Sequence, residues 1–144
     1  MSLSFSTAID DDTKLTEILK SSKTIAVVGA SPDPNRDSNR IMESLMNVGY
    51  DVYPVNPNYG NILGKQCYPT VAGIGRPIDI VDVFRKWEFA DEVALDAVEA
   101  EAKVLWLQLG VINEKAAQYA AIHGVKVVMN RCIMVEYRRL YRKF

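Results

Sequence analysis

Between Val28 and Arg40 the chain reads Val-Gly-Ala-Ser-Pro-Asp-Pro-Asn-Arg-Asp-Ser-Asn-Arg, small residues followed by hydroxyl and basic side chains. Gly29 and Ala30 let a ligand come close to the backbone. Local amides and the Ser31 hydroxyl can donate hydrogen bonds, and a helix starting near Ser38 presents its positive end. Arg36 and Arg40 can grip phosphate oxygens in bidentate fashion. This is the chemistry of an anion site. The Gly-x-Gly-x-x-Gly fingerprint is absent, because Ser31 and Pro34 stand where its second and third glycines belong. Any tight strand-to-helix turn also needs a small residue. Spacing alone therefore leaves a phosphate turn and a plain structural turn equally open, and the two arginines can equally be solvated surface charges.

Three further segments bring chemistry to similar positions. Pro54-Val55-Asn56-Pro57 makes a stiff, flat wall suited to a planar base, unless Asn-Pro simply begins a turn. A nicotinamide dinucleotide wants an acid at the end of the second strand. Asp51 stands at the beginning of that strand instead. Phe84-Arg85 delivers an aromatic ring and a fixed positive charge to one rim; Arg85 is the favoured phosphate contact, with a salt bridge to a nearby acid as its alternative. Gln108-Leu109-Gly110 ends another strand, where Gln108 needs a partner and Gly110 can simply permit the turn.

The elements that must position these residues alternate between short β-branched runs and helical periods, the pattern of βαβ units. A helix is expected over 12–21, with Leu15, Ile18 and Leu19 on one face and Asp12 or Thr13 as cap. Strands are expected over 24–28, 51–55, 78–84, 103–109 and 125–129, with a short one near 66–68 in the Gly- and Pro-rich stretch 58–77. Helices fall from about Ser38 to Gly49, with Ile41, Leu45 and Val48 inward, then over 88–100, from an Asn113 cap to Gly124, and over 135–141. The fold class is α/β: a single doubly wound domain around a mostly parallel sheet of five or six strands. Ligands then bind beyond the carboxyl ends of the strands, where the strand order reverses.

Composition narrows the function classes. The 144 residues suffice for one ordinary domain. With 17 basic against 18 acidic residues and a net charge of −1, no broad positive field exists to hold nucleic acid. Apolar runs are far too short to cross a bilayer, and Asp10, Asp11 and Asp12 sit where a secretory signal would be apolar. Cys67 and Cys132 lack CxxC spacing, which gives neither a disulfide framework nor a zinc site. A cytoplasmic location is expected. His123, the one histidine, precedes a helix-ending glycine, where a cation suits the helix C-terminus. No Ser, Cys or Asp stands in a nucleophile arrangement with a base.

Taken together, Lys23 to Leu140 resembles the small stand-alone proteins of the CoA-binding domain family, relatives of the CoA-binding domain in the succinyl-CoA synthetase α-subunit. The residues that carry the resemblance are Gly29-Ala30-Ser31 with Arg36, Ser38 and Arg40, then Pro54 to Pro57, Val81-Asp82-Val83-Phe84-Arg85, Trp106 to Gly110, and Asn130-Arg131-Cys132 with Glu136-Tyr137. The sequence departs from the family pattern at Lys86-Trp87, where a Pro-containing start is common, and at Asn130, where Asp is frequent. The resemblance implies a Rossmann-like domain over 23–144, preceded by an extension and helix over 1–22. It also implies coenzyme A as ligand, with phosphates in the first turn and the Pro-Val-Asn-Pro segment beside the adenine. The larger synthetases carry a phosphorylated histidine in a further domain, so the ligase reaction is expected to be missing here. Cys132 follows the last strand where a pantetheine thiol could arrive, either as a mixed-disulfide partner or as an inert thiol; the case for Cys67 is thinner. The expected function is non-catalytic binding of coenzyme A or acyl-CoA. The alternatives are an NAD(P)-binding redox protein and an interaction domain that kept the fold and lost its ligand.

Overall fold

The structure, a computed structural model, describes residues 7–144. The start of the expected extension, residues 1–6, lies outside the described residues.

Five strands form one parallel sheet: β1 (Thr24–Val28), β2 (Asp51–Val55), β5 (Ile80–Val83), β6 (Val104–Leu107) and β7 (Lys126–Met129), in the order β2-β1-β5-β6-β7. A two-stranded antiparallel hairpin, β3 (Asn61–Ile62) with β4 (Lys65–Gln66), occupies part of the Gly- and Pro-rich stretch. Tyr68 adds only a single bridge, to Val55. Five α-helices complete the described chain: α1 (Asp12–Ser21), α2 (Asp37–Asn47), α3 (Ala90–Glu99), α4 (Glu114–Ile122) and α5 (Ile133–Leu140). None of them is long and apolar enough to cross a membrane.

Strand side chains alternate between two cores, as the two-residue period of a strand requires. Ile25, Val27, Ile80, Val104, Trp106 and Val128 face α1, α2 and α5, whereas Ala26, Val28, Val81, Val83, Leu105 and Leu107 face α3 and α4. Ala94 and Ala97 of α3 and Ala116, Ala117 and Ala120 of α4 pack in the second core. Because both faces are covered, the central strands read as near-continuous apolar runs. Pro54 is tolerated because β2 is an edge strand. Its carbonyl faces outward and accepts from the Tyr68 amide at 3.0 Å, so its missing N–H falls on the same outer side.

Several expected boundaries shift for local reasons. Asp11, not Asp12 or Thr13, caps α1; its Oδ1 accepts from the Thr13 amide at 2.8 Å. On α2 the buried residues are Ser38, Asn39, Met42 and Leu45, while Ile41 is half-buried and Val48 lies past the helix end, 40% exposed. β6 stops at Leu107, since Gln108 and Leu109 leave the ladder, and β5 is likewise shorter at both ends. A single 3-10 turn over Trp87–Phe89 precedes α3. The last helix starts at Ile133, whose burial with Met134 anchors it. Asn113 caps α4 as expected, accepting from the Ala116 amide at 3.0 Å.

Candidate functional site

With strand order β2-β1-β5, the chain leaves β1 toward one side and returns at β5 on the other, so the switch point lies between the exits of β1 and β5. Gly29 and Phe84-Arg85 meet there. Gly29 has φ +86°, and a Cβ on it would stand 3.2 Å from Arg85 Cγ and 3.3 Å from the Phe84 carbonyl carbon. Only glycine meets both demands.

Two clefts of about 640 Å³ each open at this rim. The first is lined by Gly29, Ala30, Ser31, Arg36, Asn56, Phe84, Gln108 and Cys132 of the expected site residues, and the second by Gly29, Val55, Asn56, Pro57 and Arg85. Gly29 and Asn56 border both. Ser31 and Arg85 therefore sit in adjoining clefts, not in one shared pocket. Arg40, Pro54 and Gly110 line neither. Arg40 pairs with Asp37, Pro54 is buried in β2, and the Gly110 amide donates to Asn130 Oδ1 at 2.8 Å.

The loop after β1 differs in one respect from the sequence expectation. The Gly29 and Ala30 amides do not face a ligand; both donate to the Val55 carbonyl, at 3.0 and 3.4 Å. The donors that remain without a protein partner are the amides of Ser31, Asp37 and Ser38. Two of these belong to the first turn of α2, whose N-cap Arg36 makes no side-chain capping bond. Ser31 Oγ accepts from the Asp33 amide at 3.1 Å, which leaves its own hydrogen available. Asn39, 5% exposed, donates from Nδ2 to the Ser31 carbonyl at 2.9 Å and fixes the loop to α2. Arg36 brings a positive charge to the same cleft. The cleft thus brings together three unpaired amides, a hydroxyl hydrogen and one cation, groups of the kind that accept an anion.

Asn56 wires the two clefts together. Its Nδ2 donates to the Ala30 carbonyl at 2.9 Å, and its Oδ1 accepts from the Asn58 amide at 2.9 Å, so Asn56-Pro57 does begin a turn. Arg85 makes the anticipated salt bridge, to Glu92, and its guanidinium lies 4.2 Å above the Phe89 ring. The bridge is solvent-accessible and leaves the side chain lining the second cleft. Gln108, 5% exposed, has its partner: Oε1 accepts from the Ile133 amide at 2.9 Å and caps α5. Burial pushes the Cys67 thiol up from its ordinary value, in keeping with a core residue.

Sequence reasoning missed Tyr59, Ile41 and Val111 in the first cleft, and Pro69, Thr70 and the α3 residues Glu92 and Asp96 in the second. Tyr59 and Pro69 belong to the Gly- and Pro-rich stretch. Ser38 carried a signal, as a hydroxyl at a helix start, and went into the motif without being counted as a contact.

Residues 23–138 match the family described as CoA binding domain. The chain is 41% identical over 122 residues to YneT, an uncharacterized protein of Bacillus subtilis strain 168, covering 85% of this chain and 90% of that protein. It is similar in structure to a hypothetical protein from Pyrococcus horikoshii OT3, with a TM-score of 0.91 and 42% identity over 98% of this chain and 99% of that one. It is also 29% identical over 121 residues to the ADP-forming acetate–CoA ligase I of Archaeoglobus fulgidus; the match covers 77% of this chain and 18% of that enzyme. From the match over 23–138, the chain belongs to the CoA-binding domain family.

Proposed function

We propose that the protein binds coenzyme A or acyl-CoA without turning it over, from a cytoplasmic location, through residues 23–144. The observation that carries this reading is the uncapped N-terminus of α2, whose free Asp37 and Ser38 amides open on the first cleft at the switch point beside Arg36. That cleft takes the pyrophosphate and the pantetheine arm. The adjoining cleft, with Val55 and Pro57 as an apolar wall and Arg85 as a cation, takes the adenine and the 3′-phosphate. Two clefts joined at Gly29 and Asn56 suit a long ligand with a nucleotide at one end.

Catalysis finds little support at these clefts. The Ser31 hydroxyl accepts from the Asp33 amide and donates to no side chain among the described residues, and His123 Nδ1 sits 2.8 Å from the Tyr119 carbonyl at the end of α4. A dinucleotide finds little support either, since β2 ends in Val55-Asn56-Pro57 and the Asp51 carboxylate at its start accepts from the Tyr53 hydroxyl at 2.7 Å. Thermal unfolding with coenzyme A, 3′-dephospho-CoA, NADH and NADPH tests the reading. A ligand at a hundred times its Kd adds about 2.7 kcal/mol to the folded state. Stabilisation is expected from coenzyme A, less from the dephospho form. Stabilisation by NADH and none by coenzyme A would establish the dinucleotide reading instead, and none by any of the four would leave an interaction domain.

A further inference from the structure

Cys132 is the N-cap residue of α5 and makes no capping bond with its side chain. It is half-buried and lines the first cleft, and its thiol has no hydrogen-bond partner. The backbone on either side of it is pinned. The Arg131 carbonyl accepts from the buried Trp106 indole at 2.8 Å, and the Arg131 amide donates to the Leu107 carbonyl at 3.3 Å. The Arg131 guanidinium donates to Glu136, itself 5% exposed, at 2.6 Å, and the Ile133 amide is held by Gln108. A backbone pinned this firmly on both flanks holds Cys132 at one place beside the cleft. Cys67 is the opposite case: buried, with its thiol donating to the Asn56 carbonyl at 3.4 Å.

The same cleft carries an independent sign of an occupant. Ser38 is 5% exposed and its hydroxyl has no partner in the protein, although it borders the cleft. The rest of the side chain is covered, so the hydroxyl opens on the cleft alone, where a ligand atom would complete its hydrogen bonds.

We propose that Cys132 is a thiol–disulfide exchange site that takes up the pantetheine thiol of the bound ligand as a mixed disulfide. The inference rests on the coenzyme A reading given above. Its co-reactant is the symmetric disulfide of coenzyme A. The Cys132 thiolate attacks one sulfur of that disulfide; a bond forms between Sγ and that sulfur as the original S–S bond breaks. The second coenzyme A leaves as a thiolate and takes up the proton that Cys132 released. One protein thiol is oxidised, one half of the ligand disulfide is reduced, and no other oxidant enters.

The test reads the intact mass of the reduced full chain after incubation with coenzyme A disulfide, for wild type, Cys132→Ser and Cys67→Ser. Glutathione disulfide serves as a second probe. Wild type and Cys67→Ser should each gain one coenzyme A moiety and lose it to dithiothreitol, while Cys132→Ser gains none. Peptide mapping of the wild-type adduct should place it on Cys132, whatever the stability of the serine variants. Coenzyme A disulfide should react about tenfold faster than glutathione disulfide, or more, because binding delivers its sulfur to the thiol. An adduct on Cys67, no adduct at all, or equal rates with the two disulfides overturns the proposal. Calorimetry with coenzyme A under excess reductant runs alongside: binding there without an adduct sinks the exchange site alone, whereas no binding removes the coenzyme A reading together with it.

Discussion

Replacing Asp82 by asparagine should flatten part of the pH dependence of stability. Asp82 sits in the middle of the central strand β5, in register with Val27 and Trp106, with no exposed surface and both carboxylate oxygens without a partner. Burial pushes its carboxyl well above the ordinary carboxylate range. The folded state therefore keeps a proton that the unfolded chain, with an aspartate pKa near 3.9, gives up. The contribution is fully present below the unfolded pKa and is lost as pH rises toward the folded one. The slope is about 1.4 kcal/mol of unfolding free energy per pH unit while the folded state stays protonated. Urea unfolding of wild type and Asp82→Asn at pH 5, 6, 7 and 8 measures it. Every other titrating group is common to the two proteins, so the difference between their curves isolates position 82. The asparagine variant should gain on wild type by about 1.4 kcal/mol per unit until the Asp82 proton is lost, after which the difference levels off. Any fixed cost of burying the amide shifts that difference without tilting it. Parallel curves over the whole range would refute a protonated Asp82.

Other positions give direct readings of the rim. Gly29→Ala places a side chain at φ +86°, 3.2 Å from Arg85 Cγ, and should cost about 1–3 kcal/mol in urea unfolding; an unchanged midpoint would mean that the exits of β1 and β5 are free to part. Gln108→Ala leaves the Ile133 amide without its acceptor and should cost about 1–3 kcal/mol, with a loss under about 0.5 kcal/mol counting against the α5 cap. Arg36→Ala should weaken coenzyme A about tenfold in calorimetry, one partly exposed charge-assisted hydrogen bond, and do so more than Arg40→Ala, since Arg36 lines the first cleft and Arg40 is paired with Asp37. The reverse order would move the phosphate site to the outer face of α2.

The parts of the fold legible in the sequence are those fixed by near neighbours. β1 and β2 lie where their β-branched runs and flanking turn residues put them, and Asn113 caps α4 through a residue three positions on. The stretch 58–77 is legible only in part because, beyond the local hairpin β3-β4, its order comes from far along the chain: the Asp96 carboxylate accepts from the Val71 and Ala72 amides at 2.7 and 2.9 Å, and Tyr68 pairs across to β2. The apolar period through Ile41, Leu45 and Val48 does not mark the inward face of α2. Its first turn instead buries Ser38 and Asn39, polar groups that serve the rim. Gln108 was visible as a residue in need of a partner, yet that partner lies 25 positions on.

Among the helices that begin at this rim, α2, α4 and α5 show how it divides labour, while α3 is led in by the 3-10 turn over Trp87–Phe89. Asn113 caps α4 with its own side chain, and Gln108 supplies an acceptor to α5 from the loop after β6. α2 receives nothing comparable, because its N-cap is Arg36, a side chain with donors only. An anion bound there would play the part that Asn113 and Gln108 play elsewhere, accepting from the Asp37 and Ser38 amides and neutralising the positive end of the helix dipole. Ligand binding and the stability of α2 are then one equilibrium. Amide exchange in the first turn of α2 should slow when the ligand is added, while exchange at the already capped start of α4 stays as it was.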